Sequence, residues 1–92
     1  MRDDRYEIVV TAPAARAIRE KLPESIAFAV IDFVTGPLRD NPRRVGSPLR
    51  GDLEGIWSAR RGTYRILYRI EDEAREVIVF RVGHRRDVYR RD

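Results

Sequence analysis

The sequence predicts an α+β domain in the order β-α-α-β-β-β, and three observations carry that reading. Apolar residues recur at helical spacing between Ala15 and Val34, β-branched and aromatic residues dominate the runs after Glu54, and Pro or Gly stands at most of the boundaries. At 92 residues the chain has room for one modest core, so residues 1–92 read as a single domain. Strands joined by short turns pair antiparallel, which gives a mostly antiparallel sheet with two N-terminal helices packed on one face.

Tyr6 to Val10 is a short β-branched run ending at Thr11, consistent with a first strand. Thr11-Ala-Pro13 then reads as a helix start, a hydroxyl cap with proline in the first turn. Ala15, Ile18 and Leu22 follow at spacings of three and four, making one face of a short helix apolar. Pro23 interrupts, and Pro23-Glu-Ser opens a second helix through Val34 with Ile26, Val30, Phe33 and Val34 as its stripe. Phe28 and Ile31 widen the stripe beyond what one buried face requires, which fits either core packing or a partner's groove. Gly36-Pro37 stops this helix.

Residues 39–52, "RDNPRRVGSPLRGD", hold two prolines, two glycines and four arginines without a regular period, and read as a loop. Three strands are expected after it. Glu54–Arg61 is the first, and Gly62 turns the chain into Thr63–Ile70. That second strand alternates, with Tyr64, Ile66, Tyr68 and Ile70 on one face and Thr63, Arg65, Leu67 and Arg69 on the other. Glu71-Asp-Glu-Ala is a polar turn into Glu76–Val82, and Gly83 releases the chain into a stretch with room for one helical turn.

Composition narrows the function classes. No run approaches the roughly 18 apolar residues that span a bilayer, and "MRDDRYEIVV" does not read as a signal peptide. Without cysteine there is no disulfide framework and no thiolate zinc site. The expectation is a soluble, cytoplasmic protein with no membrane partner. Charge is unevenly placed: residues 1–38 carry five basic and six acidic side chains, whereas residues 39–92 carry fourteen and nine. The basic half is entirely arginine, since the one lysine is Lys21. Arginine keeps its charge and offers a planar fork of donors that grips phosphate with two bonds, so a polyanion partner is inferred.

The helices cover one face of such a sheet and leave the other open. Ile56, Ser58 and Arg60 share one face of their strand and Trp57, Ala59 and Arg61 the opposite one, with Trp57 and the Tyr64/Tyr68 row assigned to the core. Arg60, Arg65 and the arginines past Gly83 are then expected to converge on the open face.

The segment "DLEGIWSARRGTYRILYRIEDE", followed by "VIVFRVGHRRDVYR", resembles the second half of the RelE-type toxins of bacterial type II toxin–antitoxin pairs, in the RelE/ParE superfamily. Its Gly-x-Trp-Ser-x-Arg, Gly-x-Tyr-Arg-x-x-Tyr and Val-Gly-His-Arg-Arg-Asp-Val-Tyr patterns carry the likeness, and the earlier strand and helices fit it. The resemblance implies a small four-stranded sheet flanked by helices and a ribosome-dependent endoribonuclease, an mRNA interferase. Such a toxin cuts mRNA in the decoding site by attack of a ribose 2′-hydroxyl on the adjacent phosphate, with no metal or other cofactor. Its implied partners are the 70S ribosome, mRNA and a cognate antitoxin, expected to be acidic where it wraps the arginine face.

The resemblance also implies roles. Arg65 falls on the Tyr-Arg position and is expected to bind the scissile phosphate; Arg85 matches a second phosphate arginine. Tyr89 matches a terminal tyrosine that stacks on a base and serves as acid or base, four residues from Arg85 and so beside it on one helical turn. His84, the one imidazole, joins the catalytic candidates as a proton carrier or else caps the strand. Arg60 matches a basic position of the facing strand, and with Arg61, Arg50 and Arg86 forms the expected RNA-binding set. The chain departs from the pattern where well-known members carry two lysines, at Ile56 and Ser58, and where a relative carries glutamate, at Ser47. The base is therefore unassigned, with Glu54, Asp52 and His84 as substitutes or ribosomal groups in their place. Two other readings stay open: a ParE-like toxin poisoning DNA gyrase, and a degenerate toxin that binds RNA without cutting it.

Overall fold

A computed structural model describes residues 5–89. Its elements are β1 (Glu7–Val10), α1 (Ala12–Glu20), α2 (Glu24–Thr35), a single-turn α3 (Pro37–Asp40), β2 (Ser47–Pro48), β3 (Trp57–Arg61), β4 (Tyr64–Glu71) and β5 (Glu76–His84). The strands form one sheet in the order β1-β5-β4-β3-β2. β1 runs parallel to β5, with Glu7 opposite Glu76, and the other pairs are antiparallel. The expected α+β order stands, but the sheet has five strands instead of four.

The local signals act as chemistry predicts. Thr11 caps α1, its hydroxyl accepting the Ala14 N–H at 3.4 Å, an interaction that typically contributes about 1 kcal/mol. Gly62 supplies φ 61° in the tight β3–β4 hairpin, a conformation other residues adopt at a cost. Ala14, Val30, Phe33, Val34 and Leu38 from the helices meet Ala59, Ile66, Tyr68, Val77, Val79 and Val82 from the sheet in the main core.

A bulge makes that core possible. Leu67 faces Arg81 but Tyr68 faces Val79, so β5 carries one extra residue, Phe80. Strict alternation would send Val79 and Val82 to opposite faces; the bulge turns both toward the helices. Phe80 is left for the opposite face, in a small cluster with Ile56, Leu67, Val88, Leu49 and Leu53.

Three expectations need correction. Residues 39–52 are not one irregular loop: α3, the two-residue β2 and a 3₁₀ turn at Gly51–Leu53 lie in or overlap them. These short elements have no hydrophobic period because tertiary contacts hold them. The strand expected from Glu54 begins at Trp57, since the chain is still leaving the 3₁₀ turn. Gly83 does not end the last strand; it pairs with Arg65, and β5 continues to His84. The broad stripe of α2 divides, with Phe33 and Val34 buried and Phe28 and Ile31 exposed. Among the described residues no helix is long and apolar enough to cross a membrane.

Candidate nucleic-acid interface

The sheet face away from the helices is only partly covered. Past β5 the chain makes one turn, the Asp87 and Val88 N–H groups both donating to the His84 carbonyl at 2.8 and 2.9 Å. Val88 is thereby buried against Ile56 and Leu67. Ile56, at a position where lysine was expected, is thus an apolar seat for the terminal turn.

Beside that seat lies an open cavity of about 550 Å³. Its polar wall comes from Arg44 and Ser47 in the segment before β3, Ser58, Arg60 and Arg61 of β3, Arg65 of β4, and Tyr89; Val45, Leu49 and Ala59 contribute apolar surface. The Tyr89 phenol and the Ser58 hydroxyl share a hydrogen bond of 3.2 Å, which holds the phenol at the cavity.

The electrostatics are unbalanced. Arg60 and Arg65 are direct cross-strand partners, an arrangement of like charges that disfavours the pairing by roughly 0.2–1 kcal/mol. Arg65 Nη1 is buried and has no hydrogen-bond partner among the described residues. A buried donor without an acceptor costs about 1–3 kcal/mol. One anion in the cavity relieves both penalties, and a phosphate has acceptors in the geometry a guanidinium fork requires.

Arg44 reaches this wall because its loop is pinned. The Tyr68 hydroxyl donates to the Pro42 carbonyl at 2.7 Å from within the core, and burial pushes that phenol up to about 12, so it stays a donor. Gly46 lies so close to the sheet that a Cβ there would strike the Tyr68 hydroxyl and come within 2.9 Å of the Ser58 carbonyl. Arg43 forms a two-pronged ion pair with Asp72, at 3.0 and 2.6 Å, while the Tyr6 hydroxyl donates to the same carboxylate at 2.8 Å. The Arg43 guanidinium, and then Tyr6, hold the Asp72 carboxyl below its usual range. Of two adjacent arginines, one is therefore structural and the other faces the cavity.

Four of the sequence-predicted residues line the cavity: Arg60, Arg61, Arg65 and Tyr89. Arg61 stands on the helix side of β3, its guanidinium 3.8 Å above the Phe33 ring, and so has less freedom than Arg60. The others do not line it. Arg85 is exposed just past β5, its N–H bonded to the Thr63 carbonyl at 2.8 Å, in register with the end of the arginine-bearing strand. Arg86 and Arg50 are exposed on the terminal turn and before the 3₁₀ turn. Asp52 and Glu54 are exposed and outside the cavity wall. His84 stacks edge-on against Tyr64, 5.5 Å between ring centres, and lines a separate groove with α1 residues such as Ala17 and Leu22. No carboxylate or imidazole among the described residues lines the cavity; its titratable groups are guanidiniums and the Tyr89 phenol. Sequence reasoning missed Arg44, whose placement depends on the pinned loop, and named Ser47 only as a departure from the family pattern.

Comparison with known proteins identifies the family. The family model described as "ParE toxin of type II toxin-antitoxin system, parDE" matches residues 9–89. The chain is 50% identical over 91 residues to Toxin RelE of Mycobacterium tuberculosis, covering 98% of this chain and 93% of that one. It is 52% identical over 86 residues to Toxin RelG of the same organism, covering 94% and 98%. The fold superposes on a chain of the toxin–antitoxin complex RelBE2 from M. tuberculosis with a TM-score of 0.82 at 50% identity, covering 87% of this chain and 98% of that one. With fold and sequence in agreement, the chain belongs to the RelE/ParE superfamily of type II toxins and is of the RelBE type.

Proposed function

We propose that this toxin is a ribosome-dependent mRNA endoribonuclease acting in the cytoplasm, and that the cavity between Arg44, Arg65 and Tyr89 receives the scissile phosphate. The observation that carries the reading is Arg65 Nη1, buried beside Arg60 without an acceptor among the described residues. Sequence-independent phosphate contacts position RNA, and stacking on an aromatic ring such as the exposed Tyr89 adds grip on an unpaired base.

In this scheme the ribose 2′-oxygen attacks phosphorus, the bond to the 5′-oxygen breaks, and a cyclic phosphate and a 5′-hydroxyl are left. Arg65, Arg60 and Arg44 offset the charge that accumulates on the phosphoryl oxygens; a fixed donor of this kind typically contributes roughly 10²–10³-fold. Tyr89 donates its proton to the departing 5′-oxygen, with Ser58 fixing the phenol's direction. With no carboxylate or imidazole on the wall among the described residues, the 2′-proton leaves to solvent or to a ribosomal group. A ribosomal group in that role would make cleavage depend on the ribosome. A cognate antitoxin, the kind of partner named for the RelBE2 toxin–antitoxin complex, would cover the arginine face by charge complementarity and so silence it.

The test is purified toxin added to translating 70S ribosomes, with cleavage mapped by primer extension. Cuts within the decoding site are expected, and arginine-to-alanine changes at 65 are expected to abolish them. Intact messages at growth-arresting doses, with a DNA-damage response, would select the gyrase-poisoning reading, which the ParE description of the family model favours. Harmless overexpression with salt-sensitive RNA binding would select the non-cutting homologue.

A further inference from the structure

We propose that His84 is a positioning residue: its imidazole caps the terminal turn and so sets Tyr89 over the cavity, without exchanging a proton with the RNA. The inference rests on the endoribonuclease reading for its catalytic part, and on geometry alone for the cap.

His84 Nδ1 accepts the backbone N–H of Arg86 at 3.2 Å. The His84 carbonyl accepts from Asp87 and Val88. A side-chain acceptor for the second N–H of a turn, combined with a carbonyl that takes the first i→i+4 bond, is the pattern of a helix N-cap. Asn, Asp, Ser and Thr usually fill that position; here a ring nitrogen does so.

The ring is fixed from the other side by Tyr64, whose plane it meets at 80°. Two anchors follow along the turn: Val88 in its apolar seat and Tyr89 on the Ser58 hydroxyl. His84 therefore sits at the origin of the one short segment that carries Arg85, Arg86 and Tyr89. A neutral imidazole with Nδ1 committed as acceptor carries its proton on Nε2. A general base must also reach its proton within about 2.6–3.2 Å or through one water, yet His84 faces α1 and Tyr64, not the wall that Tyr89 shares with Arg65.

The decisive pair of variants is His84→Asn and His84→Ala. Asparagine is a good N-cap and a poor proton carrier; alanine is neither. Cleavage on ribosomes is expected to stay within about threefold of wild type for asparagine. For alanine it should fall roughly fivefold to thirtyfold, the factor by which a lost cap shifts a two-state turn. In a Tyr89→Phe background His84→Ala should bring no further loss, because the histidine acts through the phenol; an unspecific structural defect would persist there. A hundredfold or greater loss in both single variants, the scale of a lost acid–base group, would overturn the proposal.

Amide hydrogen exchange reads the cap independently of activity. The Arg86, Asp87 and Val88 amides are expected to be protected in wild type and His84→Asn and to exchange freely in His84→Ala, with Trp57 fluorescence confirming the fold of each. Unchanged protection in the alanine variant would also overturn the proposal. Should wild-type toxin leave messages uncut while this exchange pattern holds, the endoribonuclease reading fails and the cap stands.

Discussion

Arg65→Met is expected to make the protein more stable while removing its grip on phosphate. The methionine keeps the unbranched stem and the contacts it makes along the sheet. It removes the buried, unpartnered Nη1, worth about 1–3 kcal/mol. It also ends the like-charge pairing with Arg60, worth roughly 0.2–1 kcal/mol. After some loss from imperfect packing, a net gain of about 1–3 kcal/mol is expected. For a domain of this size each kcal/mol raises the melting temperature by roughly 4–8 °C. The assay is urea denaturation of wild type and variant at low ionic strength, with and without inorganic phosphate. Phosphate at about 100 times its dissociation constant should stabilise wild type by roughly 2.7 kcal/mol and leave the methionine variant unmoved. A variant less stable than wild type in the absence of phosphate would refute the claim that this guanidinium is held at a cost. Equal stabilisation of both proteins by phosphate would show that the anion binds elsewhere.

Gly46→Ala should destabilise by about 2–4 kcal/mol in the same denaturation assay, because the added methyl displaces the Tyr68 hydroxyl from Pro42 and overpacks the loop. Asp72→Asn should be less stable than wild type at neutral pH. Because Arg43 and Tyr6 depress the Asp72 carboxyl in the folded state, that advantage is present above the unfolded value of about 3.8 and fades as pH falls below it; a stability gap that persists into stronger acid would contradict the assignment. Ser58→Ala should lower message cleavage less than Tyr89→Phe does, since it loosens the phenol without removing it, and single-turnover rates on ribosomes decide the order.

Where a segment's structure follows from its own residues, it was readable in advance. Thr11 and Pro13 open α1, Gly62 makes the hairpin, and Ile66 and Tyr68 alternate into the core as their spacing requires. Reading stopped where a neighbour decides. Nothing local marks Phe80 as a bulge residue, because the bulge is a relation between β4 and β5. Arg43 and Arg44 are identical side by side; their different directions come from Asp72, Tyr6 and Tyr68, all far along the chain. The candidate site was legible in Arg60, Arg61, Arg65 and Tyr89, while Arg50, Arg85 and Arg86 stand outside the cavity and the loop that completes its wall was obscure. His84 shows the same limit, since its chemical type suggested proton transfer and only its neighbours gave its position.

The position of β5 has a kinetic consequence. Among the described residues this strand is the last in sequence, yet it lies between β1 and β4, and β1 joins no other strand. The opening strand must therefore wait, unpaired, until Glu76 and its successors exist to receive it. Long-range closure of that kind slows folding relative to local hairpins. A nascent chain can zip β3 to β4 early, but the arginine wall acquires its phenol only after the centre of the sheet has been laid in place. The toxin is thus built in an order that leaves the cavity wall unfinished until the rest of the domain has been synthesised.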